Sequence, residues 1–146
     1  MDDKDTSSKK YFRAVSGNWS VVKSGDQRWK PGDSAATWRR QNARSGAENA
    51  RAEWVCASLP AGTYDVYAWW PNIGSSLGRN VAYDIRRIGG TTTVRVNQSV
   101  NGGQWNLLGR FNFKAGQHRV QIHNGQSAPG TYVAADAVRF IQRTGP

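Results

Sequence analysis

Residues 89–111, "GGTTTVRVNQSVNGGQWNLLGRF", hold two runs of alternating polarity on either side of a glycine-rich turn. In residues 91–97 the period is two: Val94 and Val96 share one face, while Thr93, Arg95 and Asn97 share the other. Such alternation marks a half-buried strand. Asn101-Gly102-Gly103 supplies residues that accept positive φ, and 104–113 alternates again, with Trp105, Leu107, Phe111 and Phe113 on one side. The pattern predicts a β-hairpin whose apolar side is core and whose polar side, Thr93, Arg95 and Asn97, is available to a ligand.

The same alternation extends outward along the chain. "TYDVYAWWP" at 63–71 sets Tyr64, Val66, Ala68 and Trp70 on one face and Asp65, Tyr67 and Trp69 on the other, and Pro71 ends it. Further strand candidates lie at 18–23, 36–43, 51–59, 80–88, 118–124 and 131–142, separated by Gly, Asn and Pro turns. No stretch sustains a helical period. About eight short strands predict an all-β antiparallel sandwich of the jelly-roll kind. A length of 146 residues suits one domain. It is assigned to 13–143, behind a polar segment 1–12 read as a linker or expression-derived tail.

Lys and Arg total 20 against 10 Asp and Glu, a net charge of +10, and 14 of the cations are Arg. Guanidinium groups pair bidentately with oxyanions and stack on flat surfaces, so the balance points to an anionic partner. Catalysis is poorly provided for. His118 and His123 lie five apart on one strand and face opposite ways, so they cannot chelate one metal together. Asp26 and Asp33 are too few for a calcium loop, and no metal or cofactor is expected. Cys56, the single cysteine, sits among apolar residues and reads as core. Asp136, inside "VAADAVRF", reads as a buried, paired acid. The N-terminal residues lack the apolar stretch of a signal peptide, and no run is long enough to span a membrane. The chain therefore reads as cytosolic, or as one module of a longer exported protein, which is the preferred expectation.

Aromatic and basic residues are interleaved in "DQRWK" (26–30), "TWRRQ" (37–41), "YAWWP" (67–71) and "DIRR" (84–87). Indole faces stack on sugar rings or on bases, and neighbouring guanidiniums hold the charges those ligands carry. Trp19, Trp54, Trp70 and Trp105 stand among apolar neighbours and read as core. Trp29, Trp38 and Trp69 are candidates for the surface.

Four ordered motifs, "GTYDVYAWWP", "NVAYDI", "GGTTTVRVNQSVNGGQWNLLGRFNFKAG" and "VAADAVRF", resemble the golvesin C-terminal-like domain, also described as the xanthan lyase carbohydrate-binding-like domain. The resemblance runs from about Trp19 to Phe140. It implies a galactose-binding-like β-sandwich that serves as a non-catalytic accessory module of secreted bacterial polysaccharide-degrading enzymes. Gly62, Tyr64, Val66, Trp70 and Pro71, then Gly90, Val94, Val96, Gln98, Gly103, Trp105, Leu108, Gly109 and Phe113, and last Ala135–Val138, match its motifs as fold determinants. Arg79, Arg86, Arg87 and Arg95 depart from it.

The expected function is binding of an acidic polysaccharide such as xanthan by a secreted module linked to a lyase or glycosidase. The candidate ligand-binding residues are Trp69 and Tyr67 with Arg86, Arg95 and Asn97 on neighbouring strands, and Trp38, Arg39 and Arg40 at a second place. A surface-anchoring or interdomain structural module is the alternative, ahead of nucleic-acid binding and of independent catalysis.

Overall fold

The computed structural model describes residues 10–22 and 38–143. Their strands are β1 (Lys10–Ser16), β2 (Ser20–Val22), β3 (Trp38–Asn42), β4 (Arg51–Leu59), β5 (Gly62–Trp69), β6 (Val81–Arg87), β7 (Gly90–Val96), β8 (Trp105–Phe113), β9 (Gly116–His123), β10 (Tyr132–Ala135) and β11 (Ala137–Arg143). A sheet in the order β1-β4-β9-β6-β7 faces a sheet β11-β5-β8, and a small sheet β10-β3-β2 continues the second layer through the β10–β11 chain. All strand pairings are antiparallel. The predicted β-sandwich is the observed fold. Trp29 and the loop acids Asp26 and Asp33 lie outside the described residues.

The core forms where the inward faces meet. Trp54 of β4 stacks on Tyr83 of β6 with centroids 6.2 Å apart, and Phe12 of β1 closes on Trp54 at 5.5 Å. Tyr64, Phe113 and Phe140 pack edge to face from the opposite sheet. Tyr64, Val66 and Ala68 point inward as their alternation requires, and Val94 and Val96 pack against the same core. Asp136 is buried between β10 and β11, where its carbonyl accepts the Trp54 indole N–H. Cys56 is half-buried rather than enclosed, and packs against the edge of the core.

Residues 89–111 do not form the expected hairpin. β7 pairs with β6, while β8 pairs with β5 in the other sheet, so residues 97–104 carry the chain across the sandwich. The turn chemistry is as read, with Asn101 at φ 57° and Gly103 at φ 72°, but other contacts direct it. The Gly103 N–H bonds the Trp70 carbonyl, and the Trp70 indole bonds the Val100 carbonyl. A Cβ on Gly102 would lie 2.5 Å from Asn72 Cα, so only glycine allows this close approach. Gln98, fully buried, donates to the Tyr83 hydroxyl and the Ala134 carbonyl, and its amide oxygen accepts the Ala134 N–H.

β8 also breaks its own alternation. Val66 opposes Gly109 and Tyr67 opposes Leu107, leaving Leu108 as the extra residue of a bulge. Leu108, Phe111 and Phe113 therefore face inward, and Trp105 and Leu107 face outward, contrary to the shared face expected of them. Trp38 is corrected in the other direction. It is 2% exposed, because at the head of β3 it joins the core, while the adjacent Arg39 guanidinium lies over the Phe12 ring.

Truncating Gln98 to Ala strands the buried Ala134 N–H and C=O, each worth about 1–3 kcal/mol when unsatisfied. Urea unfolding of Gln98→Ala is expected to show a loss of roughly 2–4 kcal/mol with an unchanged m-value. A loss below roughly 1 kcal/mol would mean that water replaces the amide.

Candidate binding surfaces

The outward face of β11-β5-β8 is built from residues in direct register. Trp69 opposes Trp105 and Ala137, Tyr67 opposes Leu107 and Arg139, and Asp65 opposes Arg110 and Ile141. The Arg139 guanidinium lies 4.5 Å from the Trp105 ring centroid and 4.9 Å from that of Tyr67. Trp69 meets Trp105 edge to face at 5.5 Å. Leu107 is 58% exposed beside them. Trp69 itself is only 8% exposed, because Trp105 covers its edge, so it braces the platform rather than forming its surface. The Arg139 Nε is buried without a hydrogen-bond partner among the described residues, and no carboxylate there pairs with this side chain. Its charge is held in place by two aromatic rings instead. Farther along, Asp65 takes Arg110 at 2.7 Å and Arg143 at 3.5 Å. The Arg110 hydrogen bond holds the Asp65 carboxyl below its usual range.

The outward face of the five-stranded sheet is a connected ionic network. Glu53, fully buried, accepts from Arg13, from Gln121 at 2.7 Å and from Arg119 at 3.4 Å. Arg51 bridges Glu48, Asp84 and Gln121, and the Thr93 hydroxyl donates to Asp84 at 2.6 Å. Burial opposes ionisation of Glu53 and Asp84, but these donors and cations outweigh it and leave both carboxyls below the ordinary range. Glu48, bonded by Arg51, is lowered too. His123 lies 3.9 Å from Glu48 and 4.0 Å from Asp84. Its Nδ1 accepts the Gly125 N–H, which puts the proton of the neutral ring on Nε2. Burial pushes its pKa down.

Arg86 and Arg95 stand on this second sheet, so the structure separates them from Tyr67 and Trp69 instead of placing them on adjacent strands. Arg95 reaches the Asn80 and Gln126 carbonyls at 3.3 Å each and the Gln126 side chain at 3.1 Å, and acts as a brace between loops. Asn97 is spent on its own turn, accepting from the Ser99 backbone and hydroxyl. Arg40 lies over the Tyr132 ring at 4.2 Å, in a hollow with Ser20, Gln41 and Asn42. Trp38 is buried in the core and Arg39 lies over Phe12, so only Arg40 of that trio lines it.

The family model for the golvesin C-terminal domain matches residues 2–142. The chain belongs to that family. Over 89 residues, 58% of its length, this golvesin C-terminal domain is 39% identical to a xanthan lyase of Bacillus sp. (strain GL1), of which it spans 9%. A solved Paenibacillus xanthan lyase superposes on 99% of the domain with a TM-score of 0.81 at 27% identity, and the domain covers 13% of that chain.

Sequence reasoning missed Arg139 and misplaced Trp105. Arg139 sits in "AVRFIQ", where it reads as one polar step in a strand, and only the register of β11 on β5 brings it to the rings. For Trp105 a signal was present: adjacent Leu107 and Leu108 before Gly109 cannot keep a period of two, which is the mark of a bulge.

The ionic network gives the golvesin domain a defined acid response. His123 has a folded pKa below its reference of 6.5, so its neutral form is favoured by folding, and stability present above 6.5 is lost as pH falls toward the folded value. Glu53 and Asp84, lowered from 4.5 and 3.8, contribute above those references and are lost as pH falls through their folded values. The melting temperature is expected to be flat between about pH 7 and 9 and to fall in two stages below that window, while above pH 10 it falls again, because burial raises the Tyr64 and Tyr83 hydroxyls from 10.0 and folding favours their neutral forms. In His123→Gln the first stage disappears and the second remains; identical profiles would remove His123 from the account.

Proposed function

We propose that this domain is the non-catalytic carbohydrate-binding part of a secreted polysaccharide-degrading enzyme, and that it binds an acidic polysaccharide such as xanthan. The observation that carries the reading is the sheet face where Tyr67 and Trp105 hold the Arg139 guanidinium. Sugar rings present C–H faces that pack on aromatic and aliphatic surface, here Trp105, Tyr67 and Leu107, and a uronate carboxylate would meet a guanidinium that the rings fix and that no carboxylate among the described residues pairs. Strand-borne groups need little ordering on binding, which preserves affinity. Arg40 on Tyr132 repeats the motif on a smaller scale.

Kinship to two xanthan lyases supports the ligand class, and a share of 9% and 13% of those chains supports an accessory role beside a larger catalytic part. The same kinship supports a secreted, multidomain setting. The second reading is that the face packs on another domain of a longer protein, favoured by the exposure of Leu107.

Native gels cast with xanthan, with a neutral glucan or with no polymer distinguish the two. Retardation by xanthan that survives moderate salt is expected, reduced roughly tenfold in apparent affinity by Arg139→Ala and by Trp105→Ala. Equal mobility of the domain in all three gels would favour the interdomain reading.

A further inference from the structure

At the end of the sandwich where β6 turns into β7, Arg86, Arg87, Ile88, Gly89, Lys114 and His118 enclose a hollow of about 280 Å³. None of these lining residues is acidic. Elsewhere among the described residues Glu48, Glu53, Asp65 and Asp84 are each met by at least one arginine, whereas no carboxylate there pairs with Arg86, Arg87 or Lys114. Asp84, two residues before Arg86 on the same face, is taken up by Arg51 and Thr93. Three cations thus share one concavity without a counter-charge among the described residues, an arrangement whose repulsion an oxyanion would relieve.

Part of the hollow is fixed in advance. Arg87 donates to the Thr92 hydroxyl at 2.5 Å and to the Ile88 carbonyl at 2.9 Å. His118 meets the Phe113 ring at a tilt, with centroids 4.9 Å apart, and bonds the Lys114 carbonyl. A carbonyl only accepts, so Nε2 carries the hydrogen. Gly89 has φ 90°, and a Cβ there would come within 3.3 Å of Arg87 Nη1, so a side chain would crowd the guanidinium. The volume is just below the range of small-molecule sites, room for one sugar-sized group rather than a length of polymer.

We propose that this hollow binds a single oxyanion-bearing substituent, a carboxylate or a sulfate ester, with Arg86 and Lys114 as the primary contacts and Arg87 as a fixed wall. The site is separate from the Tyr67–Arg139–Trp105 face, and it rests on the proposed function only for the polymer that would carry the substituent.

The test is a ¹⁵N–¹H titration of the 146-residue chain with sodium glucuronate, sodium sulfate or glucose at constant ionic strength. Glucuronate is expected to shift the amides of Ile88, Gly89, Lys114 and His118 saturably, and glucose to leave them in place. Arg86→Ala and Lys114→Ala should each weaken this binding roughly tenfold, and Arg79→Ala, which removes an exposed charge elsewhere, should not. Sulfate binding as tightly as glucuronate assigns the hollow to either oxyanion; weaker sulfate binding assigns it to carboxylates. Absence of saturable shifts with both anions, or equal shifts with glucose, overturns the proposal. Glucuronate binding here in a domain that xanthan gels fail to retard would uphold the hollow and remove the xanthan reading.

Discussion

The buried amide of Gln98 closes the one connection on which the sandwich depends. Its carbonyl and amino groups satisfy both backbone groups of Ala134, and the amino group also reaches Tyr83, so one side chain ties the crossover to β10 and to the five-stranded sheet. A residue without both a donor and an acceptor would leave the Ala134 backbone groups orphaned in an apolar interior. With the crossover pinned there, β7 stays an edge of one sheet and β8 an edge of the other. The outward position of Trp105 follows from that placement and from the bulge at Leu108.

Local pattern revealed the elements, and tertiary pairing decided their use. β4 begins and ends where the sequence pattern predicts, and β5 sorts its residues between faces as its alternation requires. Both are strands whose two faces differ in polarity, so their sequence carries the information. "NGG" announces a turn but not the partner of the strand that follows; that partner is chosen by Gln98 and Trp70, distant residues whose contacts have no local trace. The candidate site was legible in kind rather than in composition. Tyr67 was read to its face, but Trp69 lies beneath Trp105, and the cation that joins Tyr67 and Trp105 comes from β11. Trp38 shows the converse: its arginine neighbours suggested exposure, although the residue next in a strand points to the opposite side.

The charge surplus is distributed by the same logic. Carboxylates on the outward sheet faces are covered by arginines in ratios that reach two to one, as at Asp65 with Arg110 and Arg143 and at Glu53 with Arg13 and Arg119. These pairs consume much of the cationic side without expressing it to solvent. Among the described residues, Arg139 is held by rings, and Arg86, Arg87 and Lys114 gather at one turn. Cations placed in this way favour a ligand of matching spacing over a general polyanion.

The order of pairing also determines how the fold would bear tension. Lys10 of β1 pairs with Cys56 near the end of β4, and Arg143 of β11 pairs with Thr63 at the start of β5, just across the short turn that joins β4 to β5. The outer ends of the first and last strands therefore emerge at the same end of the sandwich. A pull between them acts across the strands and peels β1 and β11 away one hydrogen bond at a time, the weak direction of a sheet. A pull between one of these ends and a polymer lying along the outer face of β5 and β8 would instead run along the strands and load many bonds together. The fold would thus resist load between that end and its sheet face better than load between the ends of its first and last strands.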